Sequence, residues 1–391
     1  MDSRSSKWCK SFQKENECLN QMQIAVIGSG MVGSLIATEL AKDYQITVFD
    51  NSKDNLKEVE NRNPNTRIKI LDVNDSLFET EIKNYQLAIN CLPGFMGFSI
   101  LKKLIKLGIS CTDISFMPED CLDLSSLALE HNCTIIPDAG VAPGLSNLII
   151  GHIVANNDIK EIRTMVGGLP KDKKPPWNYK APFSPIDVIE EYTRPARIKI
   201  NGQIKVKEAL SDIINFEVED IGALEAFLTD GLRTLLKSDE KISEIPNLLE
   251  YTIRYPGHAQ LVKELIAKDS FSNEIVNFNG TVMTKKEKTC LELFEEWKLL
   301  EDDEEFTFMI ITAVKKDDSE INYTVYDERT DGWSSMARTT GLTACAFAKL
   351  IIENRITETG ILCPEILGQN KQNYDFVMDY LKDKNIRINH E

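Results

Sequence analysis

Gly28, Gly30 and Gly33 carry the first chemistry legible in this chain. They lie in the run QIAVIGSGMVGSLIATEL and fit the spacing G-x-G-x-x-G. Each glycine has a separate task in a turn that holds a pyrophosphate. Gly28 allows the tight bend, Gly30 lets the backbone approach the phosphates, and Gly33 lets a helix pack closely on the preceding strand. The diphosphate would then rest on the open N–H groups of Ser29, Met31, Val32 and Gly33 at a helix N-terminus. The glycine pattern alone is weak, so its context decides. Ile24–Ile27 reads as a buried strand, Ser34–Lys42 has helical periodicity, and a second strand, Ile46–Phe49, ends at Asp50. A carboxylate there accepts hydrogen bonds from a ribose hydroxyl and repels a 2′-phosphate. The expected cofactor is therefore NAD, with NADP not excluded because Lys53 stands nearby.

The elements around this turn alternate between strand and helix. Strands are predicted at Arg67–Val73, Gln86–Leu92, Ile109–Ile114 and Cys133–Pro137, with amphipathic stretches such as Phe98–Leu107 between some of them. This predicts an α/β fold whose first part is a doubly wound parallel sheet of Rossmann type. Ligands of such sheets bind outside the carboxyl ends of the strands. That rule selects Asp72, Asn90, Leu92, Pro93, Asp113 and Asp138, of which Asp72, Asn90, Leu92 and Pro93 join the expected cofactor contacts.

The pattern changes after Pro143. A helix is predicted at Gly144–Val154, and Asn201-Gly202 between two apolar runs is a strong hairpin signal. Strands are predicted at Ile162–Val166, Glu250–Tyr255, Phe306–Val314 and Ile321–Tyr326, which gives a second α+β domain with a mixed or antiparallel sheet. The last long helix, Ser334–Asn354, carries Ala337, Gly341, Ala344 and Ala348 on one face and is expected to return to the first domain. The expected organisation is a polar, disordered leader (1–21), a dinucleotide-binding domain (22–143), a substrate-binding and oligomerisation domain (144–332) and a C-terminal helical segment packed back on the first domain (333–391).

Composition narrows the class. The chain has 391 residues, 42% hydrophobic and 27% charged, with a net charge of −16. That charge disfavours nucleic acid and anionic membranes as partners. No apolar run is long enough to span a bilayer, and the leader has no apolar core of a signal peptide. Nine cysteines without C-x-x-C spacing fit a reducing cytoplasm. No His, Cys or carboxylate cluster has metal-ligand spacing, so no metal is expected.

Several longer stretches are more specific than the glycines: IIPDAGVAPGLSN, IRTMVGGLP, PPWNY, FSPIDVIEEYT, INGQ, LEAFLTDG, YTIRYPGH and MARTTG. Through them the chain resembles the saccharopine dehydrogenase-like family over roughly residues 22 to 370, and most closely its L-lysine 6-dehydrogenase branch. The resemblance implies an NAD(P)-dependent oxidoreductase that acts on an amino acid through C–N chemistry. The first expectation is oxidative deamination of the ε-amine of L-lysine to allysine, which closes to piperideine-6-carboxylate, with release of ammonia. The chain departs from that branch at Arg194, after EEYT, and at Arg233, after LEAF. The alternative is a saccharopine dehydrogenase or another secondary-amine dehydrogenase, for which Arg194, Arg197 or Arg233 would supply a second acid-binding patch. A non-catalytic NAD-binding regulatory protein is a third possibility.

The implied chemistry asks for particular groups. An amine must lose its proton before hydride leaves the neighbouring carbon, and histidine suits a base near neutral pH. His258 in YTIRYPGH is the candidate base, with a packing histidine as its alternative. Arg254, in the same motif, is the candidate for a substrate carboxylate, because a guanidinium binds carboxylate bidentately. Its alternative is a structural ion pair. Asp138 would bind the ammonium or position the nicotinamide end, or else cap the following turn. Glu225, in a helix-like or turn-like context, would bind the substrate amine or form a buried ion pair. The Pro175-Pro176-Trp177 loop suits a lid or an oligomer contact. A homodimer or larger assembly is expected from the exposed apolar edges of the second sheet.

Overall fold

The computed structural model describes residues 22–181 and 185–391. The polar leader 1–21 and the first residues of FSPIDVIEEYT lie outside the described residues. The chain forms two compact units. The first comprises residues up to Gly140 together with Thr340–Pro364, and the second comprises Val141–Thr339 together with Glu365–Glu391. The division thus falls before the expected 143. Of the expected C-terminal segment 333–391, Thr340–Pro364 group with the first unit and Glu365–Glu391 with the second.

The first unit is a parallel sheet of β1 (Gln23–Ile27), β2 (Gln45–Asp50), β3 (Arg67–Ile70), β4 (Leu87–Asn90), β5 (Ser110–Asp113) and β6 (Thr134–Ile136). These strands stand in the order β6-β5-β4-β1-β2-β3. The central strands are apolar on both faces because helices cover both; Ile24, Ala25, Val26 and Ile27 are fully buried. The crossover helices form where the sequence supplies caps and apolar stripes. Ser52, for example, accepts a hydrogen bond from the Asn55 N–H at 3.3 Å and opens the helix Lys53–Arg62.

The second unit is built on β7 (Ile159–Pro170), β8 (Ala196–Ile200), β9 (Gln203–Lys207), β10 (Ile214–Val218), β11 (Gly222–Leu228) and β12 (Asn247–Arg254). A small hairpin, β13 (Ile275–Phe278) and β14 (Thr281–Thr284), comes before β15 (Glu305–Lys315) and β16 (Glu320–Glu328). Next, β17 (Gly360–Ile361) pairs with β6 in the first sheet, and β18 (Arg387–His390) pairs with β16 in the second. The second sheet runs β10-β11-β12-β7-β15-β16-β18, with β8 pairing with β12 and β9. Only β7 and β12 are parallel neighbours along that path, so the sheet is mixed. The β8–β9 hairpin forms at Asn201-Gly202 with φ of 52° and 77°, the left-handed pair that this turn requires. β10 and β11 were not predicted. The expected helix-like or turn-like context of Glu225 is corrected here: Glu225 lies in β11, opposite Arg254 of β12.

Candidate functional site

The glycine turn joins β1 to the helix Met31–Leu40 and has the form its sequence predicts. Gly28 has φ +94°, and a Cβ there would lie 2.9 Å from the Cys91 carbonyl oxygen. A Cβ on Gly33 would lie 2.1 Å from the Gly28 carbonyl oxygen, so strand and helix approach through a bare backbone. Gly30 differs, because a Cβ there would meet nothing within 4 Å. The turn is therefore sterically closed at Gly28 and Gly33 and open at Gly30, which is the cradle a diphosphate needs. Met31 and Val32 begin the helix, and the Ser34 N–H is the first to close on Gly30. The N–H groups ahead of it have no partner within the helix.

Asp50 stands at the end of β2 beside this turn. Its Oδ2 accepts the Ser29 backbone N–H at 2.6 Å and the Ser29 hydroxyl at 2.8 Å, and its Oδ1 accepts the Ser52 N–H at 2.7 Å. Ser29 is thus buried, with its N–H turned to Asp50 instead of standing open for phosphate. Asp72 follows β3, where the Asn74 N–H at 2.8 Å and the Asn51 amide at 3.2 Å hold its carboxyl below the usual range.

The structure changes the account of Asn90. Asn90, expected among the cofactor contacts, is fully buried, and its side chain donates to Asp113 Oδ2 at 2.8 Å, tying β4 to β5. Its Oδ1 accepts the Leu92 N–H at 3.4 Å, which shapes the turn into Pro93 and the helix Gly94–Lys106. Asp113 Oδ1 accepts both the Ser115 N–H, at 2.7 Å, and the Ser115 hydroxyl. Burial pushes this carboxyl up to about 6, against the lowering pull of its Ser115 and Asn90 bonds, and Asp138 adds a small raising push. Asp138 follows β6, is buried, and has φ +52°. The strand-end rule pointed to Asp113, but its buried bond to Asn90 joins residues on different strands and leaves no local trace.

The RYPGH candidates of the second unit are engaged with one another. Arg254 is buried, and its Nε donates to the Tyr192 hydroxyl at 3.0 Å, its Nη1 to the Ile253 carbonyl at 2.8 Å, and its Nη2 to Glu191 at 3.1 Å. The guanidinium also lies 4.4 Å from the centre of the Tyr179 ring. His258 Nδ1 faces the Trp177 carbonyl at 3.2 Å, and its Nε2 faces the Tyr192 hydroxyl at 2.9 Å. A carbonyl only accepts, so Nδ1 carries the proton and Nε2 accepts from Tyr192. The chain of donation runs from Arg254 to Tyr192 to His258 to Trp177. Burial, and next the Arg254 charge, pull the His258 imidazole down to about 3. In this arrangement the imidazole is neutral and its Nε2 lone pair is engaged by the Tyr192 hydroxyl.

Glu225 is corrected in the same way. Its Oε2 accepts the Gly257 N–H at 2.9 Å and its Oε1 the Ala259 N–H at 2.7 Å. The carboxylate caps the helix His258–Ala267, satisfying donors that the first turn leaves open. Trp177 packs edge-on against Trp297 and donates to Glu296 at 2.5 Å, so the expected lid residue is pinned to the helix Lys285–Trp297.

Three further arginines remain. Arg197 is bound bidentately to Asp230, with both contacts at 2.8 Å. Arg194 lies 3.5 Å from Glu190. Its guanidinium is held below the ordinary value first by burial and second by the charge of Arg233. Arg233 is buried and has φ +45°. The carboxylates of Glu190 and Asp230 act on Arg194 in the opposite sense.

Residues 24–136 match the family model of the saccharopine dehydrogenase NADP binding domain, and residues 140–386 that of the saccharopine dehydrogenase C-terminal domain. The chain is 21% identical to the saccharopine dehydrogenase [NADP(+), L-glutamate-forming] of Saccharomyces cerevisiae, over 92% of this chain and 97% of that one. It is 23% identical to the enzyme of the same name from Pyricularia oryzae, over 68% of this chain and 62% of that one. It is 22% identical to the mitochondrial alpha-aminoadipic semialdehyde synthase of Mus musculus, over 62% of this chain but only 28% of the mouse protein's length. The structure of the apo yeast saccharopine dehydrogenase (L-Glu forming) superposes with a TM-score of 0.75, over 95% of this chain and 99% of that one, at 18% identity.

Proposed function

The chain belongs to the saccharopine dehydrogenase family, and from that premise we propose that it is a nicotinamide-dependent dehydrogenase of saccharopine or a closely similar secondary amine. One observation carries this choice over the deamination of lysine first expected from the sequence. Arg254, the expected carboxylate anchor, is committed to Glu191 and Tyr192, while Arg194, Arg197 and Arg233, which the sequence offers as a second acid-binding patch, lie in the same unit. Lysine offers one carboxylate, and saccharopine offers three. A substrate rich in carboxylates matches a unit that supplies more than one guanidinium.

A dinucleotide held at Gly28, Gly30 and Gly33 would supply the hydride acceptor for the carbon beside the amine nitrogen. Loss of hydride from the deprotonated amine leaves an iminium, which water splits into an aldehyde and a protonated primary amine. The chain's own share is to seat the dinucleotide on Gly28, Gly30 and Gly33, and to hold the substrate carboxylates at Arg233 and Arg194. His258 orders the Tyr192 hydroxyl that Arg254 leans on. It holds the fold of the substrate unit and moves no proton of the substrate.

The test is direct. The purified protein is incubated with NAD or NADP and either saccharopine or L-lysine, and the reduced cofactor is followed by absorbance. Reduction with saccharopine and release of glutamate is the expected result. Reduction only with L-lysine, with ammonia released, overturns the proposal. Arg233→Ala is expected to raise KM for saccharopine by about 10- to 100-fold, the worth of a charge-assisted contact.

Asp50 also bears on the cofactor. The two saccharopine dehydrogenase relatives carry NADP(+) in their names, yet a carboxylate at the end of β2 repels a 2′-phosphate. We expect NAD to be preferred here. Asp50→Ser is expected to shift the ratio of kcat/KM for NADP over NAD upward by about tenfold or more. An unchanged ratio would remove Asp50 from cofactor selection.

A further inference from the structure

Two turns of the first unit lie against each other. Cys91, Leu92 and Pro93 follow β4, and a Cβ on Gly28 would lie 2.9 Å from the Cys91 carbonyl oxygen and 3.4 Å from Leu92 Cδ2. The Cys91 N–H donates to the Ile27 carbonyl at 2.8 Å. One side of the dinucleotide seat is therefore shaped by how the turn after β4 is held.

A buried relay holds it. The Leu92 N–H donates to Asn90 Oδ1 at 3.4 Å, an Asx turn, and the Asn90 amide nitrogen donates to Asp113 Oδ2 at 2.8 Å. Asp113 Oδ1 accepts the Ser115 N–H and the Ser115 hydroxyl. Asn90, Asp113 and Ser115 are all buried. A Cβ on Gly97 would lie 2.0 Å from Ser115 Oγ, so the helix Gly94–Lys106 rests directly on this group. Every bond in this set is donated to Asp113, which suits a carboxylate. The titratable groups that face it are Asp138, after β6, and the thiols of Cys91 and Cys111. None of these is a cation, and burial raises the Asp113 carboxyl to about 6.

The geometry selects the oxygen that a proton takes. Oδ1 already receives two donors, so the proton goes to Oδ2, which faces the Asn90 NH2. Two donors cannot share that contact. The Asn90 amide must then turn over and present its oxygen to Asp113. Its NH2 meets the Leu92 N–H, and the bond that fixes the turn is lost.

We propose that Asp113 is a positioning residue for the dinucleotide: as a carboxylate it orients the Asn90 amide, which holds the turn 91–93 against the glycine turn. Protonated, it releases that turn. This rests on the glycine turn as the dinucleotide seat and is independent of which amine is oxidised.

The experiment measures the Kd of NAD by titration calorimetry on the full chain across a range of pH. NAD carries no 2′-phosphate, whose own titration would overlap. Affinity is full where Asp113 is ionised and falls as pH drops through its pKa. Kd is expected to rise about five- to tenfold between about pH 8 and about pH 5, the worth of one buried hydrogen bond. Asp113→Asn keeps an oxygen for the Ser115 donors and turns its NH2 on Asn90 at every pH. It is expected to raise Kd by a similar factor at about pH 8 and to abolish the pH dependence. A merely structural loss would lower the melting midpoint and leave the pH dependence of Kd in place. Ser115→Ala removes a donor that favours the carboxylate, and is expected to move the midpoint of the rise to higher pH. A wild-type Kd that does not change with pH overturns the proposal, as does an Asp113→Asn variant that keeps the pH dependence or binds NAD as tightly as the wild type. Where Asp113→Asn does not fold, an unmoved midpoint in Ser115→Ala overturns it. If the wild type does not bind NAD at any pH, it is the reading of the glycine turn and Asp50 as an NAD seat that fails, and the positioning role falls with it.

Discussion

Replacement of Gly33 by alanine will lower both the stability of the first unit and its affinity for dinucleotide, the latter by about 100-fold. The new methyl group would sit 2.1 Å from the Gly28 carbonyl oxygen and 3.2 Å from the Cys91 Cβ. Both are part of the strand ends that form the turn, so relief requires moving the helix Met31–Leu40 away from β1. Overpacking of this kind costs about 1–3 kcal/mol. Gly30→Ala is the informative control. Its methyl meets no protein atom within 4 Å, so the thermal midpoint is expected to stay within a degree or two of the wild type. Dinucleotide binding is nevertheless expected to weaken, because the methyl occupies the open side of the turn. Thermal melts, together with titration of NAD against tryptophan fluorescence, separate the two cases. Equal effects of both substitutions on stability would refute this division of labour between the glycines.

Replacement of Arg254 by leucine will destabilise the second unit by about 3–5 kcal/mol, the cost of breaking a buried ion pair on one side. For a unit of this size, that is a fall on the order of 10 °C in the melting midpoint. Glu191 loses the cation that opposes the effect of burial on its carboxyl, and the Tyr192 hydroxyl loses a donor. Protonation of Glu191 recovers part of the cost. KM of the fraction that remains folded is expected to be unchanged, because all three guanidinium nitrogens are engaged with the protein itself. A variant of undiminished stability with a sharply raised KM would restore Arg254 as the substrate anchor.

These two sites show where the chain speaks locally and where it does not. The glycine turn was legible because its constraint is short in sequence. A strand, three glycines, a helix and a carboxylate at the next strand end follow from steric rules that act within one βαβ unit. The Asn201-Gly202 hairpin was legible for the same reason. Glu225 was misread because the apolar residues around it suit several backbones, and only the pairing of β11 with β12 reveals the strand. His258 and Arg254 were picked out by motif and by chemical type. Their work depends on Tyr192, Glu191 and Trp177, which lie well over fifty residues away in sequence.

The sequence by itself determined the class of protein: a dinucleotide-binding parallel sheet joined to a mixed second sheet, in a chain of the saccharopine dehydrogenase family. Those features rest on backbone sterics and apolar periodicity, which are written residue by residue. Tertiary structure alone decided which partner each buried charged group meets. Each buried carboxylate or guanidinium must be satisfied where it lies, and its partner is set by how strands and helices pack. Packing thus joined Arg254 to Tyr192 and Glu191, His258 to Trp177, and Glu225 to the start of the helix His258–Ala267.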